Sequence, residues 1–297
     1  MGKDIAAQSP AAREVFQQAD AVLGFALSEL CFEGPQEALD DTINTQPALF
    51  TCGIATLRAL QALHPEARPA MVAGHSLGEL TALVAADALS FEDGLRLVRE
   101  RGRLMKEAGE RNPGAMAAIL GLENEIVQQL CQQASEETNS VVVLANDNCP
   151  GQVVISGDEQ GIVTAIALAQ QAGAKRAMRL AVSIASHSPL MEAVVDEFRR
   201  AVANANLRTP TVPVYGNVNA EPLTDVEAIR HELEVQLTQP VRWTAAAQAM
   251  IRDGASGFVE IGPKEVLSGL IKRIDRSVER FSLNSSLALH EFSAALT

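Results

Sequence analysis

Aromatic side chains are scarce in this 297-residue chain, with one Trp, one Tyr and nine Phe. The core must therefore rest on Leu, Val, Ile and Ala. Basic residues are also few, 24 against 37 acidic ones, for a formal charge of −13 and a pI near 4.9. That balance argues against a footprint on nucleic acid or on an anionic membrane surface. No apolar run reaches the roughly 20 residues a membrane-spanning helix needs. Met1-Gly2-Lys3-Asp4 opens no signal-peptide h-region, and Ala6 stands where a myristoylation signal wants Ser or Thr. Cysteine is limited to Cys31, Cys52, Cys131 and Cys149, with no CxxC pair. They read as reduced thiols of a cytoplasmic protein, with no disulfide frame and no metal site.

What remains is ordinary globular composition, 47% hydrophobic and 21% charged with 20 Gly and 13 Pro, which excludes disordered and collagen-like classes. The length suits one large domain or two. Residues 11–23 place Val15, Phe16, Ala19 and Val22 on one helical face, and a longer helix is expected from Pro47, a favoured first-turn residue. Residues 69–73 read as a buried strand ending in a glycine-rich turn, followed by a helix over 77–86. Residues 91–109 form an amphipathic helix carrying Arg96, Arg99, Arg101 and Arg103. The middle changes texture: strand 115–120, helix 123–135, strand 140–145, a turn through 146–151, strand 152–156, helix 160–172 and strand 177–182. This β-α-β-β-α-β order within about 70 residues is the split pattern of a ferredoxin-like unit. After it, helix 189–204, strand 212–216, helices near 225–237 and 243–253, strand 257–261 and helix 265–275 alternate as in a parallel α/β sheet. The expected fold is thus a parallel-sheet α/β domain (1–111 and 184–297) with a ferredoxin-like unit (112–183) inserted.

The strongest local signal is Gly74-His75-Ser76-Leu77-Gly78-Glu79. G-x-S-x-G between a strand and a helix is a nucleophile elbow, in which the glycines allow a sharp turn that exposes the Ser76 hydroxyl. The Leu77 N–H, at the helix start, is then free to face a developing oxyanion. The competing reading is a chance match in a glycine-rich turn. A serine needs a base, and five histidines are available. His64 precedes a proline, His231 sits in a polar helix, His290 lies near the C-terminus, and His75 should point away from its neighbour. His187 follows strand 177–182, at the kind of strand-end loop where α/β sites gather their chemistry; its other reading is a helix N-cap neighbour.

GHSLGE, the RGRLM stretch, Asn-x-Asn-x-Pro-Gly-Gln-Val-Val-Ile-Ser-Gly and Ser-His-Ser-x-Leu-Met together resemble the malonyl-CoA:acyl-carrier-protein transacylase family. Thr45-Gln46-Pro47-Ala48-Leu49, Pro240-Val241-Arg242-Trp243 and Glu260-Ile261-Gly262-Pro263 are similar to it too, in order from about residue 2 to 275. The resemblance implies a hydrolase-like parallel-sheet α/β domain with a ferredoxin-like insertion. It implies Ser76 as acyl-accepting nucleophile, His187 as general base, and Gln236 as the residue whose backbone carbonyl orients that histidine. Arg101 would bind the malonyl carboxylate, since a guanidinium can hold a carboxylate with two parallel hydrogen bonds. Leu77, Gln46 and Asn146 would complete the substrate pocket. Malonyl-CoA and acyl carrier protein are the implied partners, with no metal or redox cofactor and a monomeric, cytoplasmic enzyme. Lys175, Arg176 and Arg179 with Lys272, Arg273 and Arg276 are candidates for a basic rim facing the acidic carrier. In the family a strand and a Gly-Gln-Gly-Ser-Gln loop supply a second oxyanion N–H. Met1 to Asp4 correspond to the stretch after that loop, so the pocket is expected to be open on that side. G-x-S-x-G also serves thioesterases and other serine hydrolases, and a carrier-binding module without activity is the alternative from another class.

Overall fold

A computed structural model of the chain describes residues 1–296. Five helices come first: α1 (Lys3–Gln8), α2 (Pro10–Leu23), α3 (Leu27–Glu33), α4 (Gln36–Asp40) and α5 (Thr42–Leu63). The short α1, α3 and α4 carry too little periodicity to be read from sequence. Helix α5 starts five residues before the expected Pro47, because Asp41 caps it by accepting from the Ile43 N–H. Pro47 inside the helix cannot donate to the Ile43 carbonyl four residues back. That carbonyl accepts instead from Arg99 Nη1 at 2.6 Å, so the lost helical bond is replaced by a tertiary one.

Strand β1 (Val72–Ala73) leads into α6 (Gly78–Ala85), followed by α7 (Phe91–Arg111). Ser90 caps α7 by accepting from the Asp93 N–H. Its apolar stripe of Leu97, Leu104, Met105 and Ala108 is buried and packs with α5 and α10 in the main core.

The middle of the chain forms β2 (Gly114–Leu120), α8 (Asn124–Thr138), β3 (Val142–Cys149), β4 (Gln152–Asp158), α9 (Glu159–Gln171) and β5 (Arg176–Arg179). The strands run antiparallel in the order β5-β2-β4-β3. Helices α8 and α9 pack on them over a separate core that includes Ile119, Val127, Val153, Ile155 and Ile162. Residues 146–149, expected in a turn, extend β3 with two register irregularities opposite β4, so the turn is only Pro150-Gly151. Strand β5 ends at Arg179, three residues before the expected end.

A 3-10 turn (Pro189–Met191) and α10 (Glu192–Asn204) follow, then β6 (Val214–Tyr215), β7 (Pro222–Leu223), α11 (Val226–Val235), β8 (Val241–Arg242) and α12 (Trp243–Arg252). The chain ends through β9 (Gly257–Ile261), α13 (Val266–Ile274), β10 (Glu279–Leu283) and α14 (Ser286–Ala295). Parallel pairing joins β1 to β6 and β9 to β10, while β7 runs antiparallel to β6. Strand β8 joins the middle sheet, parallel to β3. The larger part is therefore a parallel-sheet α/β structure and the smaller one a ferredoxin-like β-α-β-β-α-β unit. Two-residue strands such as β7 and β8 are too short to leave an alternating pattern in the sequence.

Candidate active site

Ser76 sits between β1 and α6 with a φ of 52°, the strained left-handed conformation expected of a nucleophile elbow. Gly74 is what allows the turn. A Cβ there would lie 1.9 Å from the Gly78 carbonyl oxygen, whereas a Cβ on Gly78 would meet nothing within 4 Å. Only the first glycine of the motif is thus sterically required. The turn is pinned by Asn217, in the loop after β6: its Oδ1 accepts from the Ser76 N–H at 2.6 Å and its Nδ2 donates to the Gly74 carbonyl at 2.7 Å.

His187 reaches the serine from the loop after β5. Its Nε2 is 2.8 Å from Ser76 Oγ. Its Nδ1 faces two backbone carbonyls, Gln236 at 2.9 Å and Gln239 at 3.1 Å. Carbonyls only accept, so the proton lies on Nδ1 and the Nε2 lone pair points at the serine hydroxyl. His75 is turned to Asn148, with Nε2 2.8 Å from Asn148 Oδ1.

Arg101 comes up from α7 and is 1% exposed. Its Nη2 donates to Ser76 Oγ at 2.9 Å, its Nη1 to Gln46 Oε1 at 2.8 Å and its Nε to Gln236 Oε1 at 3.0 Å. All of these acceptors are neutral. Among the described residues no carboxylate bonds the guanidinium directly, and Glu79, whose charge it feels, sits behind the Gln236 amide, so the buried cation beside the serine has no ion-pair partner. Burial lowers the Arg101 pKa to about 10, which leaves it charged at neutral pH. His187 is lowered to about 3, first by burial, then by the charges of Arg101 and His75. An anion bound to Arg101 removes one of these causes and strengthens the base.

The structure gathers Ser76, His187, Arg101, Gln46 and Gln236 into one hydrogen-bonded cluster. The Leu77 N–H, at the N-terminus of α6, has no acceptor among the described residues, and is available to an oxyanion. Asn146 stands apart in β3, opposite Val154 and Val241, and none of the cluster's hydrogen bonds reaches it. Ser76 and Leu77 also line a groove of about 1390 Å³, together with Ala70 to Ala73, Gly257 to Ile261 and the α5 residues Leu49, Gly53 and Leu57. Among the described residues no cluster of three or more His, Cys, Asp or Glu side chains is placed to hold a metal ion.

Sequence reasoning passed over Asn217, Gln239 and Glu79. Glu79 Oε1 accepts from Asn217 N at 2.8 Å, and its Oε2 accepts from Gln236 Nε2. Its position three residues after Ser76, one helical turn on, was the available signal. For Asn217 the signal was its place after a strand parallel to β1.

A family model described as acyl transferase domain matches residues 1–288. The chain is 44% identical over 284 residues to a malonyl CoA-acyl carrier protein transacylase of Bacillus subtilis, covering 96% of this chain and 89% of that one. It is 43% identical over 286 residues to the protein of that name in Escherichia coli K12, covering 96% and 92%. Among solved structures, the malonyl CoA-acyl carrier protein transacylase of Coxiella burnetii superposes with a TM-score of 0.96 at 40% identity, covering 100% of this chain and 93% of that one. A malonyl-transacylase solved in complex with its type II PKS acyl-carrier protein superposes with a TM-score of 0.95 at 39% identity, covering 99% and 94%.

Proposed function

The chain belongs to the acyl transferase domain family, and on that premise we propose that it is an [acyl-carrier-protein] S-malonyltransferase acting in fatty-acid biosynthesis. It moves a malonyl group from malonyl-CoA to the phosphopantetheine thiol of acyl carrier protein through a malonyl-serine ester. The observation that carries this reading is the pairing of an activated serine with a buried guanidinium that has no ion-pair partner and lies 2.9 Å from its oxygen. A hydrolase of neutral esters has no use for such a cation, whereas an acyl group ending in a carboxylate supplies its missing partner.

Ser76 Oγ attacks the thioester carbonyl carbon while its proton passes to His187 Nε2. The Gln236 and Gln239 carbonyls hold the resulting imidazolium through Nδ1–H. The Leu77 N–H faces the tetrahedral oxyanion, and Arg101, steadied by Gln46 and Gln236, grips the malonyl carboxylate. The C–S bond breaks, the coenzyme A sulfur takes the proton from His187, and malonyl-Ser76 remains. The carrier's pantetheine thiol then gives its proton to His187 and attacks the ester, and Ser76 leaves with that proton restored. None of these steps calls for a metal or redox group.

We take residues 112–183 as the inserted subdomain and 1–111 with 184–297 as the catalytic body. We also read the protein as a monomer, and the four free cysteines suit the cytoplasm. Lys175, Arg176, Arg179, Lys272, Arg273 and Arg276 are all exposed. Arg273 reaches the Pro150 carbonyl, and Gly121, packed beside Lys175, bonds Gly151. Lys175 and Arg273 thus stand by the β3–β4 turn, while Arg179 is paired with Glu159; with their neighbours they offer an acidic carrier a positive rim on an otherwise negative protein. The test incubates the protein with malonyl-CoA and carrier protein and measures product partition. Malonyl carrier as the main product supports transfer, and free malonate as the main product makes the protein a hydrolase.

A further inference from the structure

Behind the serine two carboxyl groups are buried together: Glu79 is 0% exposed and Glu232 1%. Glu79 accepts from the backbone N of Asn217 and Glu232 from that of Val218, the next residue. Glu79 Oε1 accepts from the backbone N and the Nδ2 of Asn217, at 2.8 and 3.0 Å, and Oε2 accepts from Gln236 Nε2. Glu232, near the end of α11, accepts from the Val218 N–H at 2.7 Å. A Cβ on Gly216 would lie 3.0 Å from the Glu232 carboxyl, so the pair has little room to move.

Each side chain that donates to Glu79 is also one that holds the reacting groups. Asn217 Oδ1 accepts from the Ser76 N–H, Gln236 Oε1 accepts from Arg101 Nε, and the Gln236 backbone carbonyl accepts from His187 Nδ1. A side-chain amide has a donor end and an acceptor end, and its neighbours decide which way round it sits. For Gln236 the choice is fixed by a carboxyl at one end and a guanidinium at the other. Burial and the neighbouring acid push Glu79 well above the usual carboxyl range, and burial raises Glu232 as well. Two buried carboxyls set this close oppose each other's ionisation. The other titratable groups facing them are Arg101 from α7 and His231 from α11.

We propose that Glu79 is a positioning residue for acyl transfer. Its carboxyl locks the amides of Gln236 and Asn217 in the one orientation that aims Arg101 at the substrate carboxylate and pins the Ser76 turn. This rests on the malonyl-transfer reading above.

Glu79→Gln keeps the size but replaces one acceptor oxygen with an NH2 group. Three N–H donors then converge on a side chain with a single acceptor, and the Gln236 amide turns its own NH2 toward Arg101. A folded Glu79→Gln protein, checked by its melting curve, should lose about 100-fold in kcat/KM for malonyl-CoA, with KM raised. It should lose under about tenfold for acetyl-CoA, which has no carboxylate to misplace, so the malonyl-over-acetyl preference falls by about tenfold or more. Glu232→Gln leaves both Glu79 oxygens in place to accept from Asn217 and Gln236, so the preference should stay within about threefold of wild type. An unchanged preference in Glu79→Gln, or a collapsed one in Glu232→Gln, overturns the proposal. If Glu79→Gln does not fold, Glu232→Gln decides alone by the same criterion. Wild-type protein that takes up no malonyl group sinks the transfer reading itself. Wild-type transfer beside an unaltered Glu79→Gln sinks only the role of Glu79.

Discussion

Arg101 Nη2 donates to Ser76 Oγ at 2.9 Å, so the cation meant for the substrate rests on the nucleophile itself. The same oxygen lies 2.8 Å from His187 Nε2. The hydroxyl therefore donates to the base and accepts from the arginine, and its geometry is set before any substrate is present.

From this contact follows a selectivity test. Arg101→Ala should cost malonyl transfer about 10²-fold or more in kcat/KM. Transfer of acetyl should fall far less, since the guanidinium favours only the charged acyl group and its removal leaves a pocket less hostile to a neutral one. Steady-state kinetics with malonyl-CoA and acetyl-CoA provide the check. Equal losses for both would assign Arg101 to the support of the fold.

Arg101 also shows what a sequence reveals and what it conceals. Between Glu100 and Arg103 it reads as one more solvated charge, yet Leu97, Leu104 and Met105 at i−4, i+3 and i+4 put it on the buried face of α7. The β-α-β-β-α-β unit was legible because each element is long enough to show its period. The short strands β7 and β8, and the start of α5, depend on partners far along the chain: Arg99 takes the carbonyl that Pro47 leaves free. The Gly-His-Ser turn was legible as a nucleophile from local residues alone. Its support by Asn217 and Gln236 was not, because those contacts span more than 140 residues and only the fold brings them together.

The pH dependence has a definite sign. His187 is lowered from 6.5 to about 3 in the folded protein. Between these values the unfolded chain binds a proton the folded chain does not. The stability linked to this group is thus complete above about pH 6.5 and is lost as pH falls toward 3. Compared with His187→Gln, the wild-type melting temperature should drop between pH 7 and pH 4, roughly 1.4 kcal/mol of stability going with each unit titrated. The acylation kcat/KM should show no acid limb near 6.5 in the same range. Parallel melting curves for the two proteins, or a rate inflection near 6.5, would contradict a buried neutral imidazole.

The two glycines of the elbow should behave in opposite ways. Gly74→Ala drives a Cβ to 1.9 Å from the Gly78 carbonyl, a backbone clash that no side-chain rotation relieves. Its cost should exceed about 4 kcal/mol and leave little soluble protein. Gly78→Ala meets open space at the first residue of α6 and should fold, with stability changed by at most about 1 kcal/mol. Soluble yield and thermal melts distinguish the pair.

The central claim is a covalent malonyl group on Ser76, and intact-mass spectrometry after mixing with malonyl-CoA tests it directly. One malonyl adduct should form, map to the peptide containing Ser76, disappear on addition of acyl carrier protein and be absent from Ser76→Ala. His187→Ala should form it about 10² to 10⁴ times more slowly. An adduct that persists in Ser76→Ala, or wild-type protein whose mass never changes, would contradict the role assigned to this serine.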